Sequence, residues 1–188
     1  MSVSGVLNHS WVRDYSGLSN FALQQAAWWA CVLWMGWLGP SVMLLFLLVH
    51  VACTRREWRA ELLLIALSAL LGLFLDNTLA WLELVTYEGE LLLGQSPLWL
   101  VAIWAGFGAT LGHSQKSFVD APYKAFLTGL FGGPLAYMGG EKLGRLSIEQ
   151  PEGLVAIALL WVLVMLSLSA ASRALVHERT QARDAAQL

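Results

Sequence analysis

The sequence predicts an all-α integral membrane protein, a bundle of about six transmembrane helices with both termini cytoplasmic. Three observations carry this expectation. Of 188 residues, 57% are hydrophobic and only 13% charged, with a mean hydropathy of +0.61, where an ordinary soluble domain has roughly 25% charged residues. The apolar residues come in long runs that would leave a soluble fold too little polar surface to face water. The basic residues, finally, fall on one side of an alternating topology.

Six apolar segments can be marked, at about residues 21–38, 40–53, 61–82, 97–113, 123–139 and 154–172. At 1.5 Å per residue, a hydrocarbon layer of about 30 Å asks for roughly twenty residues; most segments qualify and the second is short. The first two form one stretch, FALQQAAWWACVLWMGWLGPSVMLLFLLVHVAC, interrupted by Gly36, Gly39 and Pro40. A single straight helix of that length would overshoot the bilayer, so the chain either turns back at Gly39-Pro40 or kinks strongly there. Ser96-Pro97 reads as an N-cap followed by proline at the first position of the fourth helix.

The positive-inside rule selects between these options. With six crossings and the N-terminus inside, Arg13, Arg55, Arg56, Arg59, Lys116, Lys124, Arg173, Arg179 and Arg183 all lie inside, and only Lys142 and Arg145 outside. The loop after the third segment carries Glu83, Glu88 and Glu90 with no basic residue. Five crossings with the N-terminus outside is the alternative. The division that follows is a cytoplasmic segment over residues 1–20, a transmembrane bundle over 21–172 and a cytoplasmic tail over 173–188, in the inner membrane of a bacterium. The first twenty residues lack a basic region followed directly by an apolar core and a cleavage site, so no cleaved signal peptide is expected. Several of the ten tryptophans lie near segment ends, as an interfacial belt requires.

A net charge of −2 does not point to nucleic acid as a partner. Cys31 and Cys53 sit in apolar runs and suit core positions rather than a disulfide or metal site. His9, His50, His113 and His177 form no i, i+4 pair, and HExxH is absent, so the spacing predicts no metal. Phosphate loops, dinucleotide fingerprints and kinase signatures are absent too, and no cofactor is expected. Membrane lipids are the expected partners, with a membrane protein as a further one.

Three constellations stand out. The first is LGLFLDNTLAWLEL (71–84), where Asp76, Asn77 and Glu83 interrupt a buried run. A carboxylate near the bilayer centre costs about 2.5–3.5 kcal/mol on insertion scales and therefore faces a partner or water. Asp76 lies fifteen residues beyond Glu61, about 22 Å along a helix, which places it toward the outer side. Glu83, seven residues on, would share its face. Asp76 would then make a hydrogen bond between helices or pair with Arg145 or Lys142. Alternatively, Asp76, Asn77, Tyr137, Glu141 and Arg145 build a polar pocket for a ligand, cation or proton.

The second is GHSQKS (112–117), where His113 and Ser114 form a candidate site on the cytoplasmic face. Neighbours on a helix point about 100° apart, so these two do not make a nucleophile and base by themselves. By depth they lie across the membrane from Asp76. The third is GLFGGPLAYMGGEKLG (129–144). Here Gly132, Ala136, Gly140 and Gly144 form a flat ridge, Gly129 and Gly133 a second small pair, and Pro134 a possible kink. Gly106, Gly108 and Gly112 on the fourth segment mark it as the expected packing partner.

PLWLVAIWAGFGATLGHS (97–114) and GGPLAYMGGEKLG (132–144) resemble the two hallmark segments of a small bacterial inner-membrane family catalogued only as a domain of unknown function. The likeness runs from about Asn20 through Trp161 and includes an acidic residue late in the third helix, matched by Asp76. At Gly112 the sequence departs from the family pattern, which tends to have Asn before His-Ser. The resemblance implies a polytopic membrane protein and, through gene company with fatty-acid and cyclopropane-lipid modification, a role in lipid handling as enzyme or accessory protein. A proton-coupled or small-solute carrier using Asp76, and a purely structural membrane protein, are the alternative functions.

Overall fold

The computed structural model describes residues 17–55 and 57–185. The first sixteen residues, with Arg13 and the stretch on which the signal-peptide expectation rests, and Arg56 in the first basic loop, lie outside the described residues. The chain is mostly helical. In order it forms α1 (Gly17–Leu33), α2 (Leu38–Cys53), α3 (Trp58–Trp81), β1 (Val85–Tyr87), β2 (Leu91–Leu93), β3 (Ser96–Pro97), α4 (Leu98–Gly108), α5 (Lys116–Val119), α6 (Pro122–Leu127), α7 (Gly133–Lys142), β4 (Leu146–Ile148) and α8 (Glu152–Ala185). A π-helical turn, Thr128–Gly132, joins α6 to α7. Among the described residues, two helices are long and apolar enough to cross a membrane: α3, and the first 24 residues of α8, Glu152–Leu175. Helices α2 and α4 are apolar but shorter.

The long first apolar stretch turns back as a helical hairpin. The break falls at residues 34–37, just before Gly39-Pro40, and Pro40 sits in the first turn of α2, where a missing N–H leaves no bond unmade. Gly39 permits the reversal: a Cβ there would stand 2.6 Å from Cys31 Cα and 2.8 Å from the Ala30 carbonyl oxygen. Cys31 is fully buried and Cys53 partly so, and both are free thiols.

The fourth helix is shorter than its apolar segment. Pro97 occupies the cap position and the helix starts at Leu98, one residue later than expected, while the Ser96 hydroxyl accepts from Asn77 Nδ2 at 3.1 Å. At the other end the chain leaves the α-helix after Gly108. Turn bonds run from Thr110 N to Phe107 O (2.9 Å) and from His113 N to Thr110 O (3.0 Å). Gly106, Gly108 and Gly112, poor helix formers, cluster at this exit.

Packing partners also depart from expectation. Helix α4 lies against α3 and α2: a Cβ at Gly108 would meet the Leu64 carbonyl oxygen at 2.7 Å and Ile65 Cα at 2.8 Å. Gly129 in the π turn packs on α8, 2.6 Å from Val162 Cα by the same construction, and Gly133 packs on Trp161. The glycines of the two segments therefore serve different neighbours. Gly108 and Gly129 each meet a backbone, that of α3 and that of α8 respectively.

At the end of α3 that carries Asp76, two short antiparallel pairs close the bundle. β1 pairs with β4, Val85 opposite Ile148 and Tyr87 opposite Leu146, and β2 pairs with β3. The first pairing ties the α3–α4 connection to the α7–α8 connection. It carries Tyr87 in beneath the helices.

Candidate functional site

Asp76 is fully buried, and its two oxygens are held from three elements. The Tyr87 hydroxyl from β1 donates to Oδ1 at 3.0 Å, the Tyr137 hydroxyl from α7 donates to the same oxygen, and Trp104 Nε1 from α4 donates to Oδ2 at 2.8 Å. Burial pushes the Tyr87 phenol well above its ordinary value, so this hydroxyl keeps its proton and remains a donor. Tyr137 follows Pro134 by three residues. Because proline lacks an N–H, the carbonyl four residues back loses its helical bond, and the π turn immediately upstream accommodates that loss.

Of the residues named from sequence, Tyr137 meets Asp76 and the others lie apart. Asn77 turns toward the β2–β3 turn, donating to Leu73 O at 2.8 Å and accepting from Gln95 N at 2.6 Å. Gly94 in that turn has φ +76 and sits directly against the Asn77 amide, which leaves no room for a side chain. Glu141 is exposed and accepts from Ile148 N at 2.9 Å. Glu83 lies past the end of α3 in a left-handed conformation, φ 54, so the helical stripe drawn from Asp76 stops before it. No ion pair joins Asp76 to Arg145 or Lys142 among the described residues. Tyr87 and Trp104 were missed by the sequence reading. They lie in a loop and in an apolar helix, with no local pattern pointing to a carboxylate.

Between α1, α4 and the π turn with α7 lies a cavity of about 280 Å³. Its walls are chiefly Trp28, Trp99, Ile103, Phe107 and Trp161, with the Tyr137 ring at one side. Gly132, Ala136 and Gly140 also line it. The small-residue ridge thus faces open volume, and the absent side chains create it. Arg145 lines the same cavity, and its Nε is buried without a hydrogen-bond partner.

A second polar cluster sits at the opposite end of α3. Glu61, 1% exposed, faces two histidines: His50 Nε2 lies 3.2 Å from Oε2, and His113 Nε2 lies 3.4 Å from Oε1. Asn20 of α1 completes the group. Its Nδ2 donates to Ala109 O at 3.2 Å and stands 3.4 Å from His50 Nδ1, and its Oδ1 accepts from Ser114 Oγ at 2.6 Å. His113 and Ser114 therefore belong to one network through Asn20, not through each other. The donor atoms of His50, Glu61 and His113 lie within 4.8 Å of one another, a set able to hold a metal ion. Local spacing predicted no such set, because each donor comes from a different element. The available signal was depth: Asn20, His50, Glu61 and His113 all fall near the same end of their apolar segments.

No curated protein and no solved structure matches the chain. A family model described as "Protein of unknown function (DUF2878)" matches residues 17–167, which takes in both polar clusters and the cavity, and the chain belongs to that family.

Proposed function

We propose that this is a polytopic protein of the bacterial inner membrane, crossing it six times with both ends cytoplasmic, that takes an anionic acyl lipid into the cavity beside Tyr137 and acts in membrane-lipid modification as enzyme or accessory protein. The observation that carries this reading is Arg145, which lines a mainly apolar cavity that also holds Gln24, Gln25 and Gln115, with its Nε buried and unsatisfied. A buried donor of a charged group without a partner is costly, and a carboxylate or phosphate is the matching acceptor for a guanidinium fork. The aromatic and aliphatic walls suit an acyl chain. The volume is about twice the roughly 150 Å³ of an apolar cavity that holds benzene.

Tyr137 links the cavity to the buried carboxylate, since its ring lines the wall while its hydroxyl binds Asp76. A lipid seated there would lie against a phenol already polarised by a carboxylate. The basic residues counted above support the orientation, with Arg145 on the outer side.

Two measurements test this. Protein purified in mild detergent should carry an anionic lipid detectable by native mass spectrometry, with about tenfold less in Arg145→Gln and in Ala136→Leu, which fills the cavity. Cells lacking the protein should show an altered fatty-acid profile, restored by the wild-type chain and not by Arg145→Gln. An unchanged lipid profile together with no co-purifying lipid would leave the cavity a packing defect and the protein structural.

A further inference from the structure

We propose that His50, Glu61 and His113 bind one divalent first-row transition-metal ion at the end of α3 opposite Asp76, a site separate from the lipid cavity and independent of its role. Three elements deliver the donors: the last turn of α2, the first turn of α3 and the turn after α4. Ligands that share an ion at about 2.0–2.2 Å stand roughly 3–3.5 Å apart in a tetrahedral arrangement. The two histidine–carboxylate separations, 3.2 Å to Oε2 and 3.4 Å to Oε1, have that spacing, each to its own oxygen, within a set whose donor atoms lie within 4.8 Å of one another. The imidazole rings meet at 88° with centroids 5.0 Å apart, so their Nε2 atoms approach the carboxylate from different directions. Two imidazoles and one carboxylate form a donor set suited to Zn²⁺ or Fe²⁺ and unlike the all-oxygen shells of Ca²⁺ and Mg²⁺.

Access and support are both present. His50 and Glu61 are fully enclosed and the His113 Nε2 atom is buried, while the rest of the His113 side chain is 23% exposed and marks the side from which an ion would enter. Gly112 contributes to the opening, because even a Cβ at that position would come no nearer than 3.6 Å to Glu61 Oε1. Asn20 is the supporting group. In the present geometry its Nδ2 faces His50 Nδ1, so the imidazole proton sits on Nε2 toward Glu61. An ion on Nε2 moves that proton to Nδ1, where it needs an acceptor, as metal-bound histidines usually have. Asn20 provides one when its amide turns over, which exchanges its present bonds to Ala109 O and Ser114 for that acceptor role.

The test uses the full chain in detergent, stripped with chelator and titrated with Zn²⁺, and in parallel with Co²⁺ followed by its visible spectrum. We expect one equivalent of metal per chain, a Co²⁺ spectrum of low coordination number, and affinity reduced about 100-fold or more in His113→Ala. His113 is partly exposed, so this variant should fold, and thermal unfolding without metal checks that it does. Glu61→Gln, isosteric with the native residue, is the second variant and should lose binding similarly. Asn20→Asp gives His50 Nδ1 a carboxylate acceptor and should raise affinity about tenfold. Less than a tenth of an equivalent bound by folded wild-type protein, or binding unchanged in both His113→Ala and Glu61→Gln, would overturn the site and leave a hydrogen-bonded His–Glu–His network in its place.

Discussion

Tyr137 donates its hydroxyl to Asp76 across 61 residues of sequence, from the far side of a helix break, onto the same oxygen that Tyr87 reaches from a β-strand. Trp104 takes the other oxygen. A carboxylate accepts at both oxygens and an amide at only one, so the arrangement is specific to aspartate.

Asp76→Asn should therefore place an NH₂ group against either the tyrosine hydroxyls or the Trp104 N–H and lower stability by about 1–3 kcal/mol. Tyr137→Phe should cost a similar amount, and the double variant should cost clearly less than the two combined, because both remove the same contact. Thermal unfolding of the three variants in one detergent measures this. Strict additivity would contradict the shared bond.

The small residues of 129–140 should divide by neighbour. Gly129→Ala puts a methyl 2.6 Å from Val162 Cα and 2.7 Å from its nitrogen, both backbone atoms that cannot rotate away, so a loss of about 1–3 kcal/mol is expected. Gly132→Ala meets only the Thr128 side chain at 3.5 Å and should be near neutral. Melting temperatures of the two variants should differ in that order.

Glu83 holds the left-handed conformation that ends α3, a position where glycine is usual and a side chain costs about 1 kcal/mol or more. Glu83→Gly should raise stability by up to about that amount, less the greater freedom it gives the unfolded chain. A lowered melting temperature would show that the Glu83 side chain contributes more than its backbone strain removes.

Asn77→Ala should loosen the β2–β3 turn without disturbing Asp76. It deprives Gln95 N and the Ser96 hydroxyl of their partner, at about 1–3 kcal/mol. Amide exchange should quicken across residues 91–97 while the middle of α3 stays protected.

Much of the architecture follows from local rules and was legible in order. A helix satisfies the backbone's hydrogen bonds within one segment, and each of the six marked apolar segments holds a helix even where the ends differ. The reversal before α2 and the break near Pro134 follow from proline and glycine chemistry, which acts within a few residues. Asp76 was conspicuous because a carboxylate inside an apolar run is costly wherever it lies.

What the sequence determined by itself was thus a mostly helical chain, the approximate helical segments, and the placing of Asp76 and His113 at opposite depths. Only the tertiary structure decided which residues they meet: Tyr87, Tyr137 and Trp104 at one end of α3, and Glu61, with His50 and Asn20, at the other. It also decided that the ridge of Gly132, Ala136 and Gly140 faces a cavity containing Arg145 rather than another helix. The reason is range. Hydropathy, capping and proline act over a few residues and leave a mark in the local sequence, whereas a contact between helices depends on rotation and depth, which many different sequences satisfy and no short stretch records.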